Sequence, residues 1–256
     1  MKKLLPVLIL LYWVQINTYS QTVYELNVKS DIAIGIVSLG LGITPFFINN
    51  EPDNIPGKQN KNDINAFDRS LMFSYNKPLD YISDYGAYGV AALPIISLIP
   101  NIKNLNSVLT YGVMYGEALL LTYGTAFTLK NAVARYRPYV YSDGVPAGKE
   151  KDYFNSFPSG STSFAFLGAT FLSTTFFREF PESEWKLPVI IGSYTLATGV
   201  ASMRILSGSH FLTDVFTGAI IGSFYGWIIP WLHQKKDNDR LTIAPAGNGI
   251  IVSLKF

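Results

Sequence analysis

The chain has 256 residues, a net charge of +2, 48% hydrophobic residues, 15% charged residues and no cysteine, against about 25% charged in a typical soluble domain. With a mean hydropathy of +0.22, this excludes a disordered chain, a disulfide-stapled scaffold, a thiolate metal site and a cysteine nucleophile. The small charge leaves no footprint for nucleic acid, so none is expected as a partner, and two histidines do not make a multi-histidine metal site.

Residues 1–20 carry Lys2 and Lys3, an apolar stretch from Leu4 to Val14 and a polar end at Thr18-Tyr19-Ser20-Gln21. This reads as a secretory signal peptide or, if uncleaved, a first anchor. Six further apolar runs follow, at Ile32–Ile48, Tyr85–Ile99, Val108–Leu129, Ser161–Phe177, Leu187–Met203 and Phe211–Leu232. Several approach the ~20 residues a helix needs to cross a bilayer core. None alternates in the manner of a barrel strand. Glycines recur every fourth residue at Gly112 and Gly116, and again at Gly218, Gly222 and Gly226, a spacing that lets helices approach closely in lipid. The pattern predicts an all-α, polytopic membrane bundle of about six helices, with the bilayer itself as a partner.

Between the runs, residues 49–80 form a polar stretch in which 65–73 can make an interfacial amphipathic turn. Residues 138–158 form a second polar loop. After His233 a tail carries Lys235, Lys236 and Arg240, then two short apolar stretches around a glycine-rich turn, which predict a small hairpin. The expected organisation is a leader at 1–20, an N-terminal segment at 21–80 holding the helix at 32–48, a helical core at 81–232 and a basic tail at 233–256. Glu117 falls in the middle of the third run. Its expected role is a hydrogen bond inside the bundle, the alternative being a functional site.

Three clusters put polar groups at the ends of apolar helices. In the first, Lys130 and Arg137 are two helical turns apart and so share one face, ahead of Pro138, while Arg135 points elsewhere. Two such cations either snorkel to the interface or bind an oxyanion. In the second, Pro158-Ser159-Gly160-Ser161 opens an apolar run. The residues suit an N-cap, and the free N–H groups of that helix start suit a phosphate. The third runs from Arg204 through His210 to Asp214. One helical turn separates the imidazole from the carboxylate, which can hold one ring nitrogen and leave the other free to attack.

In order and internal spacing, Lys130…Arg137-Pro138, Pro158-Ser159-Gly160 and Arg204…His210…Asp214 resemble the type 2 phosphatidic acid phosphatase superfamily, whose pattern is KxxxxxxRP, PSGH and SRxxxxxHxxxD. The likeness covers about Asp80 to Leu232. It implies a six-helix core and hydrolysis of a lipid phosphate or diphosphate through a phosphohistidine, with no cofactor and no metal. By position, His210 corresponds to the nucleophile and Asp214 to its orienting partner. Lys130, Arg137 and Arg204 correspond to the phosphate clamp, and Ser159 and Gly160 to further donors.

Two positions depart from that pattern. Met203 precedes Arg204 where the family has serine, although Ser202 is next to it. More seriously, Ser161 stands where the family has the histidine that protonates the leaving group, and a hydroxyl is too weak an acid for that task. His233 cannot replace it, because at ~1.5 Å per residue it lies about 34 Å from His210, across a helix. Asp152, Tyr153 or a water held by Ser161 are other candidates. Three readings stay open. The substrate has a leaving group that needs no acid, as a diphosphate does; the protein is a weak or inactive relative that binds lipid phosphate; or position 161 has been altered. Basic residues at Lys103, Arg178, Lys186 and in the tail lie opposite the three clusters. They predict a bacterial inner-membrane protein whose active face is periplasmic. That orientation requires a retained leader, or a first run that does not cross.

Overall fold

The structure, a computed structural model, describes residues 22–48, 54–99, 102, 104–235, 241–246 and 249–254. The leader expected at 1–20 lies outside them. Nine α-helices are present among the described residues: α1 (Val28–Ile43), α2 (Ala66–Ser70), α3 (Lys77–Ala91), α4 (Ile95–Leu98), α5 (Leu105–Val133), α6 (Pro138–Ser142), α7 (Gly160–Glu179), α8 (Lys186–Leu206) and α9 (Leu212–Leu232). Six of them are long and correspond to the six apolar runs. Two strands, β1 (Leu241–Ala246) and β2 (Gly249–Leu254), pair antiparallel with Leu241 opposite Leu254.

Local chemistry sets the ends of these helices. Asn27 caps α1 by accepting from the Lys29 and Ser30 N–H groups, so that helix starts before the apolar run does, and Pro45 turns its end into a single 3-10 turn, Thr44–Phe46. Asn76 caps α3, with Pro78 in its first turn. The second run therefore begins well before Tyr85, and it breaks between Ala91 and Ile95. Asn104 caps α5, whose other end is a left-handed Ala134 at φ 46°. Side-chain oxygens at such positions satisfy the orphan N–H groups of a helix start.

α7 is the central helix, packed against α3, α5, α8 and α9. On one flank Met114, Ala118 and Leu121 of α5 meet Leu167 and Phe171 of α7 and Ile229 of α9. On the other, Ala87 and Val90 of α3 meet Ala165 and Ala169 of α7 and Ala197 and Val200 of α8. The outward faces are apolar. Phe216, Ile220, Phe224, Trp227 and Trp231 form an exposed stripe down α9, and Leu187 and Ile191 are exposed one turn apart on α8. By length and composition, α8 and α9 are long and apolar enough to cross a membrane. Side chains of this kind, three or four residues apart along an outward helix face, require an apolar surrounding, and with the six-helix architecture they make this a membrane bundle.

Candidate active site

The three clusters converge at one end of the bundle, on a cavity of about 270 Å³ whose lining includes Lys130, Arg137, Asp152, Gly160, Ser161, Arg204 and His210. The last turn of α5 carries Lys130, and the last turn of α8 carries Arg204. Arg137 precedes α6, and His210 sits in the turn between α8 and α9. That turn lies against residues 73–74 because Gly208, at φ +67°, has no Cβ; one there would fall 2.5 Å from the Phe73 carbonyl oxygen. The four key side chains are deeply buried, at 7% exposure for Lys130, 4% for Arg137, 3% for Arg204 and 2% for His210. Ala87, Tyr88, Phe127 and Phe164 form an apolar wall beside them.

His210 Nδ1 lies 2.7 Å from the Ser156 carbonyl oxygen. A carbonyl only accepts, so Nδ1 carries the proton and Nε2 keeps its lone pair. Arg137 Nη1 donates to that Nε2 at 2.9 Å. Burial, and then the charges of Arg137, Arg204 and Lys130, push the His210 pKa well below its ordinary 6.5, so the ring is neutral at physiological pH. Arg137 also donates to the Asp152 carboxylate at 2.7 Å. Burial works to raise the Asp152 pKa, but Arg137 and Lys130 hold it below the usual carboxylate value. Asp152 is therefore ionised near neutral pH and is a poor proton donor.

Lys130 Nζ donates to the Asn155 carbonyl at 2.5 Å. Arg204 Nη1 lies 2.8 Å from both Asp80 Oδ1 and Asp84 Oδ1, whereas its buried Nε has no hydrogen-bond partner among the described residues. Ser161 Oγ, in the cavity wall, donates to Asp84 Oδ1 at 2.6 Å.

The PAP2 superfamily model matches residues 111–238, which is half of the 256 residues. The chain belongs to the PAP2 superfamily. Among curated relatives it is similar to the "probable lipid phosphate phosphatase 4" of Arabidopsis thaliana, 31% identical over 43% of each chain. It is also similar to the "probable diacylglycerol pyrophosphate phosphatase 1" of Schizosaccharomyces pombe, 31% identical over 40% of this chain and 45% of that one. The match thus spans less than half the length of these relatives. Among solved structures, the chain is similar to a transmembrane PAP2-type phosphatidylglycerolphosphate phosphatase from Bacillus subtilis, 19% identical, with a TM-score of 0.48 over 82% of this chain and 98% of that one. Aquifex aeolicus LpxE is 24% identical, with a TM-score of 0.43 over 63% of this chain and 90% of that one.

The motif residues of this PAP2 protein meet at one cavity, but three expectations about how they do so need correction. Lys130 and Arg137 do not share a helix face, since α5 ends at Val133 and the chain folds back to bring Arg137 in. Ser159 does not face the cavity. Its Oγ caps α7, accepting from the Thr162 N–H at 3.4 Å, because the orphan N–H groups of the helix start claim it. Asp214 does not hold the imidazole directly, lying 3.7 Å from Nδ1. The i,i+4 pairing presumes a helix through both residues, and α9 begins only at Leu212. Asp214 instead accepts from Ser156 Oγ at 2.5 Å, from the Phe211 N–H at 2.8 Å and from Arg135 at 2.6 Å. It fixes the residue whose carbonyl orients His210.

Sequence reasoning missed the acidic frame. Arg135 bridges Asp214 and Asp68, which it meets at 2.7 Å. Asp68, in α2, is fully buried and also accepts from the Thr213 N–H and hydroxyl, so the 65–73 turn is tied to the start of α9 through Thr213 and Arg135. Asp80 and Asp84, one turn apart at the start of α3, were the readable signal. The domain boundary expected at 81 cuts through this frame.

Proposed function

We propose that this chain hydrolyses the phosphate of a membrane lipid, with a lipid diphosphate as the better substrate. The observation that carries the reading is the neutral, oriented His210, with Nε2 turned toward a cavity that also holds Lys130, Arg137 and Arg204. The apolar wall beside these cations suits an amphiphile whose tail stays in the bilayer.

In the first step His210 Nε2 attacks phosphorus as the bond to the leaving oxygen breaks. Negative charge on the equatorial oxygens is met by Lys130, Arg137, the free Nε of Arg204 and the backbone N–H at the start of α7. A diphosphate expels a phosphate monoester, which leaves without a proton, so Ser161 is no obstacle. Water then attacks the phosphohistidine, inorganic phosphate departs and the water's proton passes to solvent. Arg135, Asp68 and Asp214 are positioning residues behind the nucleophile.

The test is phosphate release from purified protein given a polyprenyl diphosphate, phosphatidic acid and a phosphorylated lipid A. His210→Ala is expected to lose at least about 10³-fold in turnover, and acid-labile, alkali-stable labelled phosphate should be trapped on the wild type alone. Full turnover by His210→Ala overturns the mechanism. Vanadate binding by wild type with no turnover on any substrate would instead mark a relative that binds lipid phosphate without cleaving it.

A further inference from the structure

At the other end of α9, a second set of chemically active side chains meets where the phosphatase reading has no use for them. His233 ends α9, Asp31 lies in the first turn of α1 and Glu117 is partway along α5. At ~1.5 Å per residue, the length of α9 puts this cluster about 30 Å from His210. His233 is 3% exposed and Glu117 is 7% exposed. His233 Nε2 lies 3.1 Å from Asp31 Oδ1 and 3.4 Å from Glu117 Oε2, and the three atoms are all within 4.8 Å of one another.

His233 Nδ1 is 2.9 Å from the Ile229 carbonyl oxygen, which only accepts, so Nδ1 carries a proton and Nε2 is the ring nitrogen that faces the two carboxylates. One ring nitrogen and two carboxylate oxygens thus converge on one point. The nearby Lys235 ammonium goes elsewhere, to the Thr22 carbonyl at 2.6 Å. No lysine or arginine pairs with Asp31 or Glu117 among the described residues, and the buried Glu117 Oε2 has no hydrogen-bond partner among them. A metal ion at the centre would take all three atoms as ligands, Glu117 Oε2 among them. A metal-bound histidine commonly donates its other N–H to a backbone carbonyl. Four ligands at ~2.0–2.1 Å around a tetrahedral ion stand about 3.4 Å apart, close to the 3.1 Å and 3.4 Å that separate His233 Nε2 from the two carboxylates.

We propose that Asp31, Glu117 and His233 bind one divalent transition-metal ion of the zinc type. One nitrogen and two carboxylate oxygens suit such an ion better than magnesium or calcium, and three protein ligands leave a fourth position for water. The ion ties α1 and α5 to the end of α9, away from the phosphate cavity.

The probe is Zn²⁺ itself, titrated by calorimetry into the untagged full-length protein after chelator treatment, with melting temperature read in parallel. One Zn²⁺ per chain and a higher Tm are expected. His233→Asn and Glu117→Gln should each weaken binding more than about 100-fold, since outer-shell partners alone are worth about 10–100-fold, and His210→Asn should bind as wild type does. Co²⁺ in the wild-type protein, which needs no variant to fold, should give the visible bands of a four- or five-coordinate site. Absence of stoichiometric Zn²⁺ binding by folded wild type overturns the proposal and leaves an imidazolium–carboxylate cluster. Binding that survives His233→Asn, or that is lost in His210→Asn, overturns it as well.

Discussion

On the proposed reading, substrate choice turns on Ser161 and the Asp84 carboxylate it meets. The serine hydroxyl donates to a carboxylate that Arg204 also holds. A histidine at 161 would stand beside that carboxylate, which favours the imidazolium, and so would become an acid able to protonate an alkoxide near neutral pH. Ser161→His is therefore expected to raise phosphatidic acid hydrolysis by roughly 10²-fold or more, and diphosphate hydrolysis far less, since general acid help is worth ~10²–10⁴-fold only where the leaving group needs it. Phosphate release from the two lipids checks this, and equal gains would discredit the leaving-group argument. In the proposed mechanism His210 acts as the neutral ring. Burial and three cations oppose its protonation, so the nucleophile is lost only at low pH. The acid limb of kcat/KM for wild type should lie well below pH 6.5, and a limb at or above that value would mean that the ring is not desolvated as described.

At the scale of helices, close packing of α7 on α9 holds the Gly160 end of one beside the His210 end of the other. A Cβ on Gly222 would fall 2.0 Å from the Ser163 carbonyl oxygen, and one on Gly218 2.5 Å from that of Ser159. Gly222→Ala must push the two helices apart, and overpacking of this kind costs about 1–3 kcal/mol. A lower melting temperature in detergent is expected, together with reduced turnover. Gly112→Ala is the contrast, because nothing lies within 4 Å of its Cβ position; its Tm should hold or rise slightly through the better helix propensity of alanine. Both glycine series were legible as spacings, yet only one meets a partner. Spacing names a helix face, and only the neighbouring helix decides whether that face is covered. The same limit governed the site. Lys130 and Arg137 were legible as a pair from their order along the chain, but Ala134 ends the helix between them. Asp68 and Arg135 were not legible at all, because their value lies in meeting each other across a long stretch of chain.

For the whole molecule the open quantity is which side of the bilayer the phosphate cavity faces. The cavity, the 138–158 loop and the α2 turn share one end of the bundle. The short join between α7 and α8, with Arg178 and Lys186 flanking it, and Lys235 after α9 are at the other. Basic residues near helix ends favour the cytoplasm, and the buried Lys130, Arg137 and Arg204 belong to the site rather than to that count. The expected orientation therefore places the cavity outside the cytoplasm. The chain has no cysteine, so single substitutions report without background. Ala147→Cys, exposed in the loop beside the cavity, should react with an impermeant maleimide on intact spheroplasts. Glu184→Cys, exposed in the α7–α8 join, should react only after permeabilisation. The reverse pattern would put the cavity in the cytoplasm, and would confine its substrates to lipids of the inner leaflet.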